Sequence, residues 1–185
     1  MAITTTNINT GGATVTVGGT VTDVGATGYY TGTTGGTNVG CTTGGVRVSY
    51  SFETQEIFCD QSLAAVESAI TSETASVEFD MLETNAAHLQ YALQQYTSAS
   101  TATQNFVGVG GITTLTPIPL MLEIIDNDDS TKNTTWTFFK CINKSMEINF
   151  ERENPTSVGC NFTVLADTDH ASGHQLFDVI EDIVS

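Results

Sequence analysis

Apolar and polar residues alternate with a period of two along several stretches of this chain, a pattern that predicts strands rather than helices. After Gly45, the side chains of Val46, Val48, Tyr50 and Phe52 fall on one face and Arg47, Ser49, Ser51 and Glu53 on the other. Ile57 has the opposite parity, so a bulge or a strand end is expected near residues 54–56. Residues 63–70 read as a crossover with some helical character. In a second strand Val77, Phe79 and Met81 form the apolar face and Ser76, Glu78 and Asp80 the polar one. Leu120, Leu122 and Ile124 begin another. Residues 134–142 are expected to set Trp136, Phe138 and Ile142 on one side and to break at Asn143-Lys144. The pattern resumes over 145–151, with Met146, Ile148 and Phe150 inside and Ser145, Glu147, Asn149 and Glu151 outside. A hairpin turn at 153–156 leads into a last strand whose Val158, Cys160, Phe162 and Val164 face inward.

Helical spacing is clear in one place. Ala86, Leu89, Leu93 and Tyr96 recur on one face, and Thr84 or Asn85 can cap the orphan backbone donors, which predicts a helix over about 85–96. The Ser/Thr/Ala run at 97–103 ends it, and 106–111 reads as a strand or loop with glycine punctuation. Near the C-terminus Leu176, Phe177, Val179, Ile180 and Ile183 fit a helical turn or two.

The first 45 residues differ from the rest. They hold 12 of the 17 glycines and 15 threonines, with Asp23 as the single charge. Ala13–Val17 alternates as a short strand would, while 18–40 reads as a long loop containing Tyr29-Tyr30. Such a segment has too little apolar surface to fold by itself. Two regions follow: a Gly/Thr-rich arm over 1–38, with Tyr29 and Tyr30 as candidate inter-subunit anchors, and a β domain over 39–185.

Charge narrows the function classes. Five Lys plus Arg stand against 21 Asp plus Glu, a net −16, for which solubility or life in high salt is an open reading. Arg47, Lys132, Lys140, Lys144 and Arg152 are scattered singly, which argues against stable binding to nucleic acid or an anionic membrane. Cys41, Cys59, Cys141 and Cys160 match no zinc or redox spacing, and no signal peptide or membrane span is recognisable, so reduced, buried thiols in a cytoplasmic product are expected. His170 and His174 have the four-residue spacing of helical metal ligands, but Ser172-Gly173 and the want of a third ligand oppose it. Residues 126–131 resemble a calcium loop without its glycine or its bidentate Glu; a solvated turn accounts for them better. No nucleophile, base or phosphate loop assembles into a catalytic constellation. Neither an enzyme nor a cofactor is expected.

Taken in order, Val39-Gly40-Cys41-Thr42-Thr43-Gly44-Gly45-Val46, then Asp60-Gln61, then a Ser72-Glu73 to Met81-Leu82-Glu83 strand running into a short helix, the chain resembles the tail tube protein of long-tailed bacteriophages. The likeness extends weakly through Trp136-Thr137-Phe138 and the Val164 to Asp167 stretch. Val39, Gly40, Thr42, Gly44, Gly45 and Val46 are its opening motif. The resemblance implies a β-sandwich or half-barrel with one helix on its flank. It further implies six copies closing into a ring-shaped β-barrel, and stacked rings forming a conduit for DNA. Partners would be other copies and other tail proteins (terminator, tip and tape measure), with DNA passing unbound and no membrane involved. The location would be the virion tail, assembled in the host cytoplasm. Outward carboxylates Glu78, Asp80, Glu147 and Glu151 are the candidate lumen lining, since a wall of negative charge repels phosphates within about 10 Å at moderate salt. Two alternatives stand beside this: the tube of a type VI-like secretion or contractile injection system, and a free-standing β-sandwich capsid decoration or adhesion module.

Overall fold

The computed structural model describes residues 12–23, 30–60, 64–94, 96–101, 103–111, 113–125, 133–150, 155–171 and 173–181. The chain is mainly β. Its order is β1 (Ala13–Val17), β2 (Thr20–Asp23), β3 (Tyr30–Thr34), β4 (Thr37–Asn38), β5 (Thr42–Ile57), β6 (Glu67–Met81), α1 (Ala86–Leu93), β7 (Tyr96–Ser100), β8 (Asn105–Val109), β9 (Ile118–Ile125), β10 (Asn133–Asn149), β11 (Ser157–Leu165) and β12 (Phe177–Glu181). The principal sheet is antiparallel and runs β4-β1-β9-β10-β11-β6-β5. β12 adds to β10 at residues 134–138, on the side that β11 leaves vacant by pairing only from Lys140 onward. β2–β3 and β7–β8 form separate two-stranded pairs.

Connectivity dictates curvature. β4 and β5 end the sheet at opposite edges, yet only Val39, Gly40 and Cys41 lie between them. Four residue steps reach at most about 14 Å, whereas the outer strands of a flat seven-strand path lie about 29 Å apart. The open sheet is therefore strongly curled, apolar face inward. Val39 donates its amide to the Val15 carbonyl at 3.0 Å and Leu82 to that of Cys41 at 2.9 Å, fixing the crossing. Gly40 has φ +81°, and a Cβ there would collide with the Glu83 carboxylate, so this member of the opening motif has no substitute among L-residues without strain.

Inside the curl, Val15, Val17, Val39, Val77, Leu120, Phe138, Cys141 and Val158 have no exposed surface, and Phe79 stacks on Phe162 at 5.7 Å. Each such aliphatic or aromatic side chain contributes about 1.5–3 kcal/mol of transfer free energy. The predicted inward rows of β6 and β11 are the buried rows. α1 closes one end. Asn85 caps it, its side chain accepting from the His88 amide at 2.9 Å. Tyr91 shares a hydrogen bond with Thr37 of β4 at 2.8 Å, and the Gln94 amide donates to the Cys141 carbonyl of β10 at 3.2 Å.

Several expectations are corrected. Residues 18–40 are not one long loop, because β2, β3 and β4 occupy parts of them; β1 and β4 belong to the principal sheet. The crossover expected to 70 ends at Glu67, where β6 begins. α1 stops at Leu93, since Gln94 turns left-handed at φ 44°, and Tyr96 starts β7 instead. β10 does not break at Asn143-Lys144: bulges between Phe138 and Cys141 and between Asn143 and Ser145 absorb the phase changes and let one strand continue. Phe150, expected inside, is 80% exposed. Residues 177–181 form strand β12 rather than a helical turn, because the free edge of β10 supplies their backbone partners. The turn expected at 126–131 and the first half of the one expected at 153–156, with Glu151, Ile183 and Tyr29, lie outside the described residues, as does the side chain of Tyr30.

Candidate functional site

The polar face of the sheet gathers three of the four predicted carboxylates. Register places Glu147 of β10, Gly159 of β11, Asp80 of β6 and Thr43 of β5 in one row across four strands. The next row holds Ser145, Asn161, Glu78 and Arg47. Strand pairing brings together residues that lie 67 positions apart in the chain, because β10 and β6 flank β11 with matching parity. Asn161 donates its side-chain amide to Glu78 at 2.9 Å, which holds that carboxylate against the sheet. Asp80 and Glu147 stand on either side of Gly159, where a Cβ would approach an Asp80 oxygen to 3.1 Å.

The outcome is a shallow recess of about 660 Å³, lined by Asp80, Glu147, Glu78 and Arg47 among others. Gly44 and Gly45 open its rim. Both have positive φ, +73° and +82°, and they are the two extra residues between the pairs Thr43–Asp80 and Val46–Phe79. Neither has an atom within 4 Å of where a Cβ would be. Thus the paired glycines of the opening motif bend β5 and leave open space beside the acidic row. The Gly44-Gly45 pair stands out in the sequence as a turn ahead of the strand, whereas it lies inside β5.

Sequence reasoning missed a second feature. β11 ends its pairing with β6 at Ala75, so beyond that point β5 and β6 run on as a two-stranded arm. Every described residue of 51–60 and 64–74 is exposed. Its inner face continues the core row of β5 with Tyr50 and Phe52, 47% and 54% exposed; Ile57, Phe58, Val66 and Ile70 are 44–60% exposed. Polar pairs run along the opposite face, with Ser51 bonded to Thr74 at 2.7 Å and Ser72 donating to Glu53 at 3.1 Å. The recess and the arm therefore share one continuous polar surface.

His170 and His174 serve separate carboxylates. His170 Nδ1 lies 3.4 Å from Asp167 Oδ2 with its ring stacked on Phe139 at 4.0 Å, and His174 Nδ1 lies 2.7 Å from Asp178 Oδ1. Lys140 reaches Asp167 at 2.7 Å. Burial pushes the Asp167 carboxyl up, but the Lys140 and Asp169-amide hydrogen bonds and the nearby positive charge outweigh it and hold it below the usual range. The hydrogen bond to Asp167 raises Lys140 in turn. Among the described residues no group of three or more His, Cys, Asp and Glu is placed to hold a metal ion. Cys141 and Cys160 are buried, and burial raises both thiols, Cys160 to about 12; Cys41 and Cys59 are exposed, contrary to expectation. No helix among the described residues is long and apolar enough to cross a membrane.

No protein-family model matches the chain, and no curated protein matches it.

Proposed function

We infer that the protein is a structural subunit that associates with copies of itself into a tube, in the manner of a phage tail tube, with the acidic recess facing the lumen. The arm carries this reading. A hairpin of two strands is at best marginally stable in water unless something covers it, and this one presents five apolar side chains to solvent beyond Tyr50. Burying the exposed halves of Phe52, Ile57, Phe58, Val66 and Ile70 at a joint is worth roughly 4–8 kcal/mol before association costs. Among the described residues the outer edge of β5 is also unpaired along its length in the principal sheet, a backbone template for another strand. A free-standing module leaves both without a partner.

The recess adds the second half. Three carboxylates against one guanidinium, repeated around a ring, give a wall that repels phosphate rather than holding it. DNA and the other tail proteins are then cargo and neighbours, not ligands of a pocket. Electron microscopy and sedimentation of the purified chain test the reading. Rings or tubes are expected, with Phe52→Ser plus Ile70→Ser remaining folded monomers. A wild-type protein that stays monomeric at every concentration and salt refutes it.

A further inference from the structure

We propose that association through the β5–β6 arm is gated by ionic strength, with mobile cations standing in for a basic partner surface that another copy cannot offer. The inference rests on the self-assembly reading above. Every charged residue described on the arm is acidic: Glu53, Glu56, Asp60, Glu67 and Glu73, all exposed. Two of them accept from hydroxyls within or next to the arm, Glu53 from Ser72 and Glu73 from Tyr50. Register sets Glu73 directly across from Phe52 and Glu67 directly across from Ile57, so carboxylates share a face with apolar side chains that any joint has to bury.

On the self-assembly reading the occupant is a neighbouring copy, and its charge is unfavourable. The whole chain has five Lys plus Arg for 21 Asp plus Glu, so even complete pairing leaves 16 carboxylates over. Lys140 is already bound to Asp167, and Arg47 stands opposite Glu78 in register. Apolar cohesion and carboxylate repulsion thus occupy the same strip. The first has almost no range; the second reaches one Debye length, about 30 Å at 0.01 M salt and about 3 Å at 1 M. The seven residues Ser51 to Ile57 span about 24 Å. At low salt every carboxylate of an arm therefore feels all those of the copy beside it, and at high salt only those in contact.

The test follows the full-length protein by sedimentation velocity and light scattering in sodium chloride from about 0.01 to 1 M. Beside it goes a variant with Glu53, Glu56, Glu67 and Glu73 each changed to Gln. Wild type is expected to lower its assembly concentration at least about tenfold across the series, the factor that 1.4 kcal/mol of relieved repulsion corresponds to. The Gln variant is expected to assemble already at the lowest salt and to lose most of the response. Wild-type assembly that is equal or stronger at low salt overturns the gate while leaving self-assembly standing. So does a Gln variant that keeps the full salt response. A wild type monomeric throughout overturns the self-assembly reading and the gate with it.

Discussion

Replacing Asn143 with Leu should cost about 3 kcal/mol, because this one buried amide holds three backbone groups in place. Asn143 is 7% exposed and sits at the second bulge of β10. Its Nδ2 donates to the Ala92 carbonyl in the last turn of α1, and its Oδ1 accepts from the Ser145 and Asn161 amides, both at 3.3 Å. Leu fills a similar volume but satisfies none of these. The Ala92 carbonyl, on a residue 3% exposed, bears a full burial penalty of about 1–3 kcal/mol, and the two longer bonds on less buried residues add about 0.5–1 kcal/mol together. At about 2–4 °C per kcal/mol for a domain of this size, the midpoint should fall by roughly 6–12 °C. Asn143→Asp separates hydrogen bonding from volume. It keeps both acceptor bonds but sets a carboxylate oxygen against the Ala92 carbonyl, so the new acid is favoured in its protonated, donating form and its folded pKa rises. Its stability contribution is then full below the unfolded pKa, about 3.9, and is lost as pH rises through the folded value. Thermal melts by circular dichroism at pH 4 and pH 7 read both effects, each variant against wild type at the same pH. An Asn143→Leu protein melting within about 2 °C of wild type, or an Asn143→Asp deficit equal at both pH values, would refute the role assigned to this side chain.

Other expectations follow from the same geometry. Asp80→Lys with Glu147→Lys turns the acidic row basic at exposed positions, where surface changes usually cost within about 0.5 kcal/mol. If the chain forms the proposed tube, particles assembled at high salt should stay intact while DNA exit slows; normal ejection would place these carboxylates away from the lumen. Under native conditions a thiol reagent should titrate Cys41 and Cys59 quickly and reach Cys141 and Cys160 only on unfolding; four fast thiols would contradict the burial. Asp167→Asn should destabilise near neutral pH, since the depressed carboxyl contributes stability above its unfolded pKa that is lost as pH falls through the folded one. Melts from pH 7 to pH 3 should therefore show wild type and variant converging at the acid end.

Parity explains both what was legible and what was not. In β6 and β11 the alternation of Val77, Phe79 and Met81 with Glu78 and Asp80, and of Val158, Cys160, Phe162 and Val164 with Asn161, is the alternation of the buried rows. Three candidate carboxylates could be found for the same reason: a shared polar parity on strands that pair puts Glu78, Asp80 and Glu147 together. But parity says which side chains share a face, not whether anything covers it. Tyr50 and Phe52 look in sequence like Val77 and Phe79, and only the early end of β11 leaves them exposed. Bulges defeat parity altogether, which is how Asn143 came to be read as a break. Leu176, Phe177, Val179 and Ile180 suit a helix period as well as a strand edge, and the vacancy on β10 decided between them.

The three-residue link between the two ends of the sheet also sets an order of events during synthesis. β5 and β6 meet through a short local connection, Ile57 opposite Glu67, and can zip within microseconds of emerging. β1 has to wait for β9, more than a hundred residues later, before Val15 finds Leu122, and β4 closes only onto β1. Such long-range closures are the slow ones. The apolar side chains of β5 and β6 are consequently exposed on each nascent chain before the curl that should carry them exists. Neighbouring ribosomes on one message would hold several such arms within reach of each other. If the arm joins copies as proposed, translation on crowded messages is where premature pairing of unfinished chains would begin.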